Sequence, residues 1–133
     1  MQATPGAERT LTELDFTRLH HLPGDTFPPG FADILSTADV LDSRAVSPDT
    51  ITMYSQVELE DVATHRPYKL TLCYPNDSEP TAGFISVLSP VGRGLLGLRV
   101  GDIAHWQTPS AKAGAAKVVA ILFQPEACGD YTL

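Results

Sequence analysis

The stretch Ile85 to Asp102, ISVLSPVGRGLLGLRVGD, decides the expected fold, because it predicts a strand end, a short helix and a turn in close succession. Ser89 is a favourable N-cap, whose hydroxyl can accept a hydrogen bond from an amide of the first helical turn. Pro90 follows at the first helical position, where its fixed φ suits a helix and its missing N–H costs nothing. Gly97 is placed to end the helix in a left-handed conformation.

The predicted helix has one apolar stripe and a weak intrinsic propensity. Val91, Leu95 and Leu96 supply enough apolar surface for one short helix to pack on a sheet. Gly92 and Gly94 each cost about 1 kcal/mol relative to alanine in a helix. We therefore expect packing against a sheet, rather than helix propensity, to stabilise this element.

The second part of the chain predicts an antiparallel sheet of about five strands that carries this one helix, which is an α+β arrangement. Its polar and apolar residues alternate with the period of two that half-buried strands show. A proline-rich and asparagine-rich loop spans 75–80, and Ser110 to Ala116 is a small-residue loop. The predicted strands cover Ile51 to Asp61, Tyr68 to Tyr74, Phe84 to Leu88, Ile103 to Gln107 and Val118 to Gln124.

The first part of the chain predicts a short antiparallel helical hairpin over residues 1–45, followed by the sheet domain over residues 46–133. Residues 1–9 lack periodicity and are expected to fray. Thr10 and Glu13 fit a capping box at the start of a helix that continues to about His21. A proline- and glycine-rich turn over 23–30 precedes a second helix from Phe31 to Arg44. Each arm is on the order of 18–20 Å long.

Composition limits the classes of function. The chain has 133 residues, 43% of them hydrophobic, and a net charge of −7, so a packed core is expected and direct nucleic-acid binding is disfavoured. We expect a cytoplasmic protein, because the sequence shows neither an apolar run long enough for a membrane span nor a signal peptide. Cys73 and Cys128 are expected to be reduced thiols, although a bridge between them stays open.

Two groups of residues carry a resemblance to a known family. The segments Ser89 to Arg93, Leu95 to Gly97 and Val100 to Asp102 resemble the C-terminal domain of the GreA/GreB transcript-cleavage factors, which has an FKBP-like fold. The tail from Phe123 to Tyr131, FQPEACGDY, is similar to that of the Rnk branch of the family, the regulators of nucleoside diphosphate kinase. Leu98, where Gre factors usually carry lysine, also favours that branch. The resemblance is specific from about residue 51 to residue 133.

The resemblance implies a non-enzymatic regulator without cofactors that binds RNA polymerase near its secondary channel and could compete with Gre factors. It assigns the polymerase-binding face to the start of the short helix, at Ser89, Pro90 and Arg93. A rigid proline presents a preorganised patch, and an arginine can add a charge-assisted contact. The same residues could equally serve only to begin the helix. In the tail, Glu126, Asp130 and Tyr131 either contact a partner or pack against the sheet.

Stimulation of transcript cleavage is not expected. The Gre factors that this chain resembles have a long helical hairpin, whose acidic tip helps to hold a catalytic Mg²⁺. A Mg²⁺ site of this kind needs converging carboxylates. The predicted tip here offers Asp25 alone, with Asp33 already on the following helix. The predicted arms are also too short to reach a buried active site.

Three alternatives have weaker support. A peptidyl-prolyl isomerase would need aromatic residues around a central tryptophan, and Trp106 has no such set near it in sequence, so a role in sheet packing is favoured. Metal binding is disfavoured, because His20, His21, His65 and His105 lack recurring ligand spacings. The literal GxGxxG match at Gly92 to Gly97 lies in a short capped helix and is not a nucleotide fingerprint. A binding module for another protein stays open, and no residue indicates nucleoside diphosphate kinase itself.

Overall fold

The fold is a five-stranded sheet that carries one short helix, with two further helices and a two-stranded sheet before it. The computed structural model describes residues 9–22, 27–28, 30–107 and 113–130. The elements are β1 (Thr10–Thr12), α1 (Glu13–His20), α2 (Phe31–Thr37), β2 (Asp39–Leu41), β3 (Gln56–Asp61), β4 (Pro67–Cys73), β5 (Phe84–Ser86), α3 (Pro90–Leu95), β6 (Ile103–Gln107) and β7 (Ala113–Phe123), with 3₁₀ turns at Pro75–Asp77, Pro80–Ala82 and Glu126–Cys128.

The large sheet has the strand order β5-β4-β3-β7-β6. Its pairs are antiparallel except β4 and β5, which run parallel, so the prediction of a wholly antiparallel sheet was wrong for β5. The chain between these strands is longer than a hairpin turn and passes through two 3₁₀ turns. This longer connection lets it re-enter the sheet in the same direction.

The last strand of the sheet, β7, begins earlier in the sequence than predicted. Part of the segment expected to be a loop, Ala113 to Ala116, pairs with β6, in the register Trp106↔Gly114. A Cβ atom on Gly114 would lie 2.4 Å from Nε1 of Trp106. Glycine is therefore needed at position 114 because the indole lies over the strand, and not because the chain turns.

The N-terminal helices are shorter than predicted. Thr12, not Thr10, is the N-cap of α1, and its Oγ1 accepts a hydrogen bond from the Asp15 amide at 3.0 Å. Helix α2 ends at Thr37, and residues expected to continue it form β2, which pairs with β1 in parallel. At 1.5 Å per residue the two helices are about 12 and 10 Å long. The tip residue Asp25 lies outside the described residues.

One hydrophobic cluster joins both parts of the chain. Leu11, Leu19, Phe31 and Leu35 are at most 1% exposed and belong to the same cluster as the buried side chains of the sheet. Residues 46–133 contribute Ile51, Met53, Val57, Leu59, Leu70, Leu72, Val87, Leu95, Leu96, Leu98, Ala104, Ala116 and Val118. The antiparallel packing of the two helices and a domain boundary after residue 45 stay predictions.

Helix α3 confirms the local signals read from the sequence. Ser89 is the N-cap, and its Oγ accepts a hydrogen bond from the Gly92 amide at 3.1 Å. Gly97 has a φ of 80° just after the last helical turn, and a Cβ there would meet the backbone of Thr10 at 3.0 Å. A Cβ on Gly92 would lie 2.1 Å from the carbonyl oxygen of Ser86. The helix thus needs glycine in order to approach the sheet edge.

The substitution Gly92→Ala is expected to destabilise the protein by about 2 kcal/mol or more, because the new methyl group would overlap a backbone oxygen that cannot move freely. Urea unfolding measures this loss. Gly101→Ala is the control: Gly101 has a φ of 98° and no atom within 4 Å of its would-be Cβ, so only backbone strain of about 1 kcal/mol is expected. Equal losses for the two variants would contradict the close approach of α3.

Buried polar groups connect α1, the segment before β3 and the C-terminal tail. The Asp15 side chain accepts a hydrogen bond from the Met53 amide at 3.1 Å and its residue is 2% exposed. The Thr52 hydroxyl donates to Oε1 of Glu126 at 2.7 Å. Burial raises the pKa of Asp15 to about 7, the Met53 amide opposes that rise, and the negative charge of Glu126 adds to it. Asp15 is therefore mostly protonated in the folded protein below about pH 7.

The variant Asp15→Asn is expected to stabilise the protein at pH 8 and to weaken its pH dependence between pH 4 and 7. The folded-state pKa of Asp15 is about 7 against an ordinary value of 3.8, so folding takes up a proton and stability falls as the pH rises through this window. The amide stays neutral and can still accept from Met53. A gain of more than about 1 kcal/mol at pH 8 is expected by urea unfolding.

Asp49→Asn is the matched control, because the Ser47 hydroxyl beside Asp49 holds the pKa of this more exposed carboxyl below its usual range. Its replacement should give no gain at pH 8. An Asp15→Asn variant that keeps the wild-type slope between pH 4 and 7 would refute the assignment.

Candidate functional site

Ser89 lies at the start of α3 with its hydroxyl fully engaged inside the protein. Its Oγ donates to the Ser86 carbonyl oxygen at 2.7 Å and accepts from the Gly92 amide. Its carbonyl oxygen accepts from the amide of Arg93 at 2.9 Å. The hydroxyl therefore fixes the first turn of α3.

Pro90 and Arg93 line one open cleft of about 240 Å³, which lies where α3 meets β6 and the N-terminal segment. Both residues are half-buried. The other lining residues are Arg9, Gly30, Ile34, Gly94, His105, Trp106 and Gln107. The structure therefore places two of the three predicted site residues on a common concave surface, beside an aromatic side chain that the sequence did not connect with them.

Arg9 is a part of this cleft that sequence reasoning missed. Its Nη1 donates to the carbonyl oxygens of Arg93 at 2.7 Å and of Leu96 at 2.9 Å, so the guanidinium caps the C-terminal end of α3. The Thr10 amide donates to the Gly97 carbonyl oxygen at 3.0 Å alongside it. The expectation that residues 1–9 fray was therefore wrong for Arg9, whereas residues 1–8 lie outside the described residues.

The chemistry of the cleft is cationic and aromatic. It brings the guanidinium groups of Arg9 and Arg93 together with Trp106 and His105 in a protein whose net charge is −7. Burial lowers the pKa of Arg9, but an arginine stays charged at neutral pH. Guanidinium groups bind carboxylates through charge-assisted hydrogen bonds, and an indole contributes apolar contact area. The surface thus suits a partner that presents acidic and apolar side chains side by side.

Trp106 confirms the prediction of a sheet-packing residue. It is half-buried on β6 and its ring lies over Gly114. The ring contacts within the described residues pair Phe16 with His20, Phe27 with Phe31, and Tyr54 with Tyr74, so Trp106 takes part in none of them.

The structure shows the surroundings of His65 and of the glycine motif, two of the features considered for metal or nucleotide binding. In the described part of the chain, no group of three or more His, Cys, Asp or Glu residues could hold a metal ion. Nδ1 of His65 lies 2.9 Å from Oε2 of Glu60. The literal glycine motif faces the protein: a Cβ on Gly94 would meet the carbonyl oxygen of His105 at 2.9 Å.

The C-terminal tail packs against the sheet domain in its described part. Gln124 is buried, and its Nε2 donates to the carbonyl oxygens of Ser47 at 2.9 Å and Thr50 at 2.7 Å. Glu126 accepts a hydrogen bond from the Thr52 hydroxyl, so its carboxylate has a partner within the protein. Asp130 is exposed, and its amide donates to the Pro125 carbonyl oxygen at 2.8 Å. Tyr131 lies outside the described residues.

The two cysteines are free thiols in the structure, Cys73 buried and Cys128 exposed. Burial is the main cause that raises the pKa of the Cys73 thiol, and the charge of Asp77 adds to it. Across residues 9–22, 27–28, 30–107 and 113–130, no helix is long and apolar enough to cross a membrane.

Comparison with known proteins identifies the family to which this chain belongs. Residues 46–123 match the family described as "Transcription elongation factor, GreA/GreB, C-term". The chain therefore belongs to the GreA/GreB family through its C-terminal part.

Two relatives and one solved structure show which members of the family this chain is similar to. The "Regulator of nucleoside diphosphate kinase" of Escherichia coli (strain K12) is 37% identical over 99 residues, which cover 74% of this chain and 73% of the relative. "Transcription elongation factor GreA" of Solidesulfovibrio magneticus is 38% identical over 97 residues, which cover 72% of this chain and 58% of the relative. The structure of a "Prokaryotic transcription elongation factor GreA/GreB from Nitrosomonas europaea" aligns with a TM-score of 0.69 and 31% identity, covering 87% of this chain and 98% of that one. The mixed α+β fold is thus a GreA/GreB-like fold.

Proposed function

We propose that this protein is a non-enzymatic regulator that binds RNA polymerase near its secondary channel through the face formed by Ser89, Pro90 and Arg93. The single observation that carries the proposal is the cationic cleft at α3, in which Pro90 and Arg93 lie beside Trp106 within a chain of the GreA/GreB family. In this proposal the protein competes with Gre factors for the same surface of the polymerase, and the sheet domain has the FKBP-like arrangement of their C-terminal domains.

The rigidity of α3 supports a docking role. A six-residue helix has little stability of its own in water, but this one is capped at its start by Ser89 and at its end by Arg9. Because Gly92 and Gly94 have no side chains, the helix lies close to the carbonyl oxygens of Ser86 and His105. A surface that is already ordered loses little conformational entropy when a partner binds.

The charge of the face supports a partner patch that is acidic and partly apolar. Arg93 and Arg9 contribute positive charge at the cleft, whereas the chain as a whole is acidic. A local patch of opposite sign to the rest of the surface selects the orientation of an encounter and raises its rate. The expectation of a protein partner rather than nucleic acid rests on the net charge of −7 of the whole chain, which repels a phosphate backbone.

The variant Arg93→Glu is expected to weaken binding to core RNA polymerase by about tenfold or more, since it places a carboxylate against an acidic patch. Pro90→Ala should weaken binding a few-fold, because it removes ring contact area and loosens the first turn. Fluorescence anisotropy of the labelled protein measures both effects.

Arg66→Glu is the matched charge reversal, since Arg66 is exposed in the loop between β3 and β4, away from the cleft-lining residues. It should bind as the wild type does. Equal affinities for the wild type, Arg93→Glu and Pro90→Ala would remove the named face from the proposal.

The protein is not expected to stimulate transcript cleavage. The described N-terminal helices have eight and seven residues, and no paired acidic motif occurs in the sequence between them. Mg²⁺ needs converging oxygen ligands, and Asp33 is exposed on α2, past the sequence position of Asp25.

Backtracked transcription complexes test this expectation. The wild-type protein should leave the transcript uncut at concentrations that saturate the polymerase, while a GreA factor in parallel shortens it. Added protein should slow GreA-dependent cleavage if both occupy one surface. Shortening of the transcript by this protein alone would overturn the proposed loss of cleavage activity.

A further inference from the structure

The outer face of the large sheet, on the side away from the hydrophobic cluster, carries exposed apolar side chains. Successive side chains of a strand point to opposite faces, and Val57 and Leu59 of β3 belong to the cluster. Gln56 and Glu58 therefore lie on the outer face, together with the residues that pair with them on β4 and β7. The large hydrophobic residues of β5, β6 and β7 that are 39–46% exposed are Phe84, Ile103, Val119, Leu122 and Phe123.

Two irregularities of β7 contribute part of this apolar surface. Val119 and Leu122 are left without a partner on β3 at the two register shifts between the strands. A β-bulge inserts an extra residue in this way and can re-aim a side chain. Antiparallel sheets that face water usually carry polar residues on that side. Exposed apolar residues at both shifts therefore indicate a face that is covered by a partner.

One row across the outer face has the same pattern when it is read from either end. Thr71 of β4 pairs with Phe84 of β5 on one side and with Gln56 of β3 on the other. Gln56 in turn pairs with Phe123 of β7. The row thus has an aromatic ring at each end, and its midpoint lies on the midline, the line parallel to β3 and β4 and midway between them. A second copy rotated by 180° about the midline would place its Phe84 over Phe123, and its Phe123 over Phe84.

The next row adds charge complementarity about the same midline. Lys69 of β4 pairs with Glu58 of β3, and the midline runs between them. The same rotation therefore brings Glu58 of each copy over Lys69 of the other. A two-fold interface needs such a self-complementary surface, and facing opposite charges select the register. The net charge of −7 makes two copies repel each other in other orientations.

We propose that the outer face is a self-association surface, through which two copies of this chain form a symmetric dimer about the midline between β3 and β4. The partner is a second copy because both the aromatic row and the charged row are complementary to themselves. The described residues that line the cleft at α3 include none of the residues in these two rows. Self-association is therefore separate from the proposed binding of RNA polymerase.

The size of the face indicates a weak dimer. Five strands, spaced about 4.8 Å apart and about six residues long, give a face on the order of 24 Å by 20 Å. This area is at the small end of the range for specific protein interfaces. A dissociation constant on the order of 10–100 µM is expected.

Sedimentation equilibrium of the full chain tests the proposal, at protein concentrations from about 1 µM to 1 mM, which bracket the expected dissociation constant. The average mass of the wild type should rise from that of one chain toward that of two. Glu58→Lys and Lys69→Glu should each weaken association by about tenfold or more, because like charges then face each other at two places in the symmetric dimer.

Two control variants leave the outer face intact. Asp39→Lys makes the same change in net charge as Glu58→Lys, at an exposed position of β2 in the small sheet, and should associate no more weakly than the wild type. Pro90→Ala should associate as the wild type does, so the result does not depend on polymerase binding.

A mixture of Glu58→Lys and Lys69→Glu is the sharpest test. In the mixed dimer a lysine lies over a glutamate at both places, so the mixture should associate within a few-fold of the wild-type affinity. Both variants stay acidic overall, since each substitution changes the net charge of −7 by two units, so general attraction between them cannot produce this recovery. Fluorescence anisotropy of one labelled variant, titrated with the other, measures it.

Several results would overturn the proposal. These are a wild type that stays monomeric up to about 1 mM, variants that associate as tightly as the wild type, or a mixture that associates no better than its components. The first result needs no variant, so it decides the matter even if a variant fails to fold. A monomeric wild type whose Glu58→Lys variant binds core RNA polymerase more weakly would instead assign the outer face to the polymerase.

Discussion

The close approach of α3 to the sheet is the constraint on which the rest of the structure depends. The backbone of Gly92 lies so near the Ser86 carbonyl oxygen that a methyl group cannot enter between them, and Gly94 is similarly close to His105 on β6. A helix of six residues does not persist without tertiary contacts. These two contacts therefore fix the position of α3 between β5 and β6, and with it the direction in which Pro90 is presented.

Sequence reasoning succeeded where the signals were local and failed where they were not. The Ser89 cap, the proline after it and the left-handed Gly97 each follow from the chemistry of one residue and its neighbours, and all three are present. The parallel pairing of β5 was missed because strand direction depends on the path of the whole connection. The segment after Ala113 was mistaken for a loop because its small residues are explained only by an indole from the neighbouring strand.

The site was predictable only in part for the same reason. The sequence identified Pro90 and Arg93 through motif resemblance, but the cleft around them depends on contacts between distant residues. Arg9 reaches the end of α3 across 84 positions of the chain, and nothing in its local sequence distinguishes it from a mobile terminal residue. The burial of Asp15 could not be predicted from the sequence either, because an acid in the first turn of a helix is usually exposed.

The hydrogen bonds from Arg9 have a consequence for how members of this family diverge. The matched family region begins at residue 46, yet Arg9, which donates to carbonyl oxygens at the end of α3, comes from outside that region. Two relatives with the same residues at positions 89, 90 and 93 can therefore differ in the rigidity of α3. The difference depends on whether their N-terminal segments provide a hydrogen-bond donor to the end of the helix, as Arg9 does here. A change in the segment before residue 46 can therefore alter how rigidly α3 is held without any change in the matched family region.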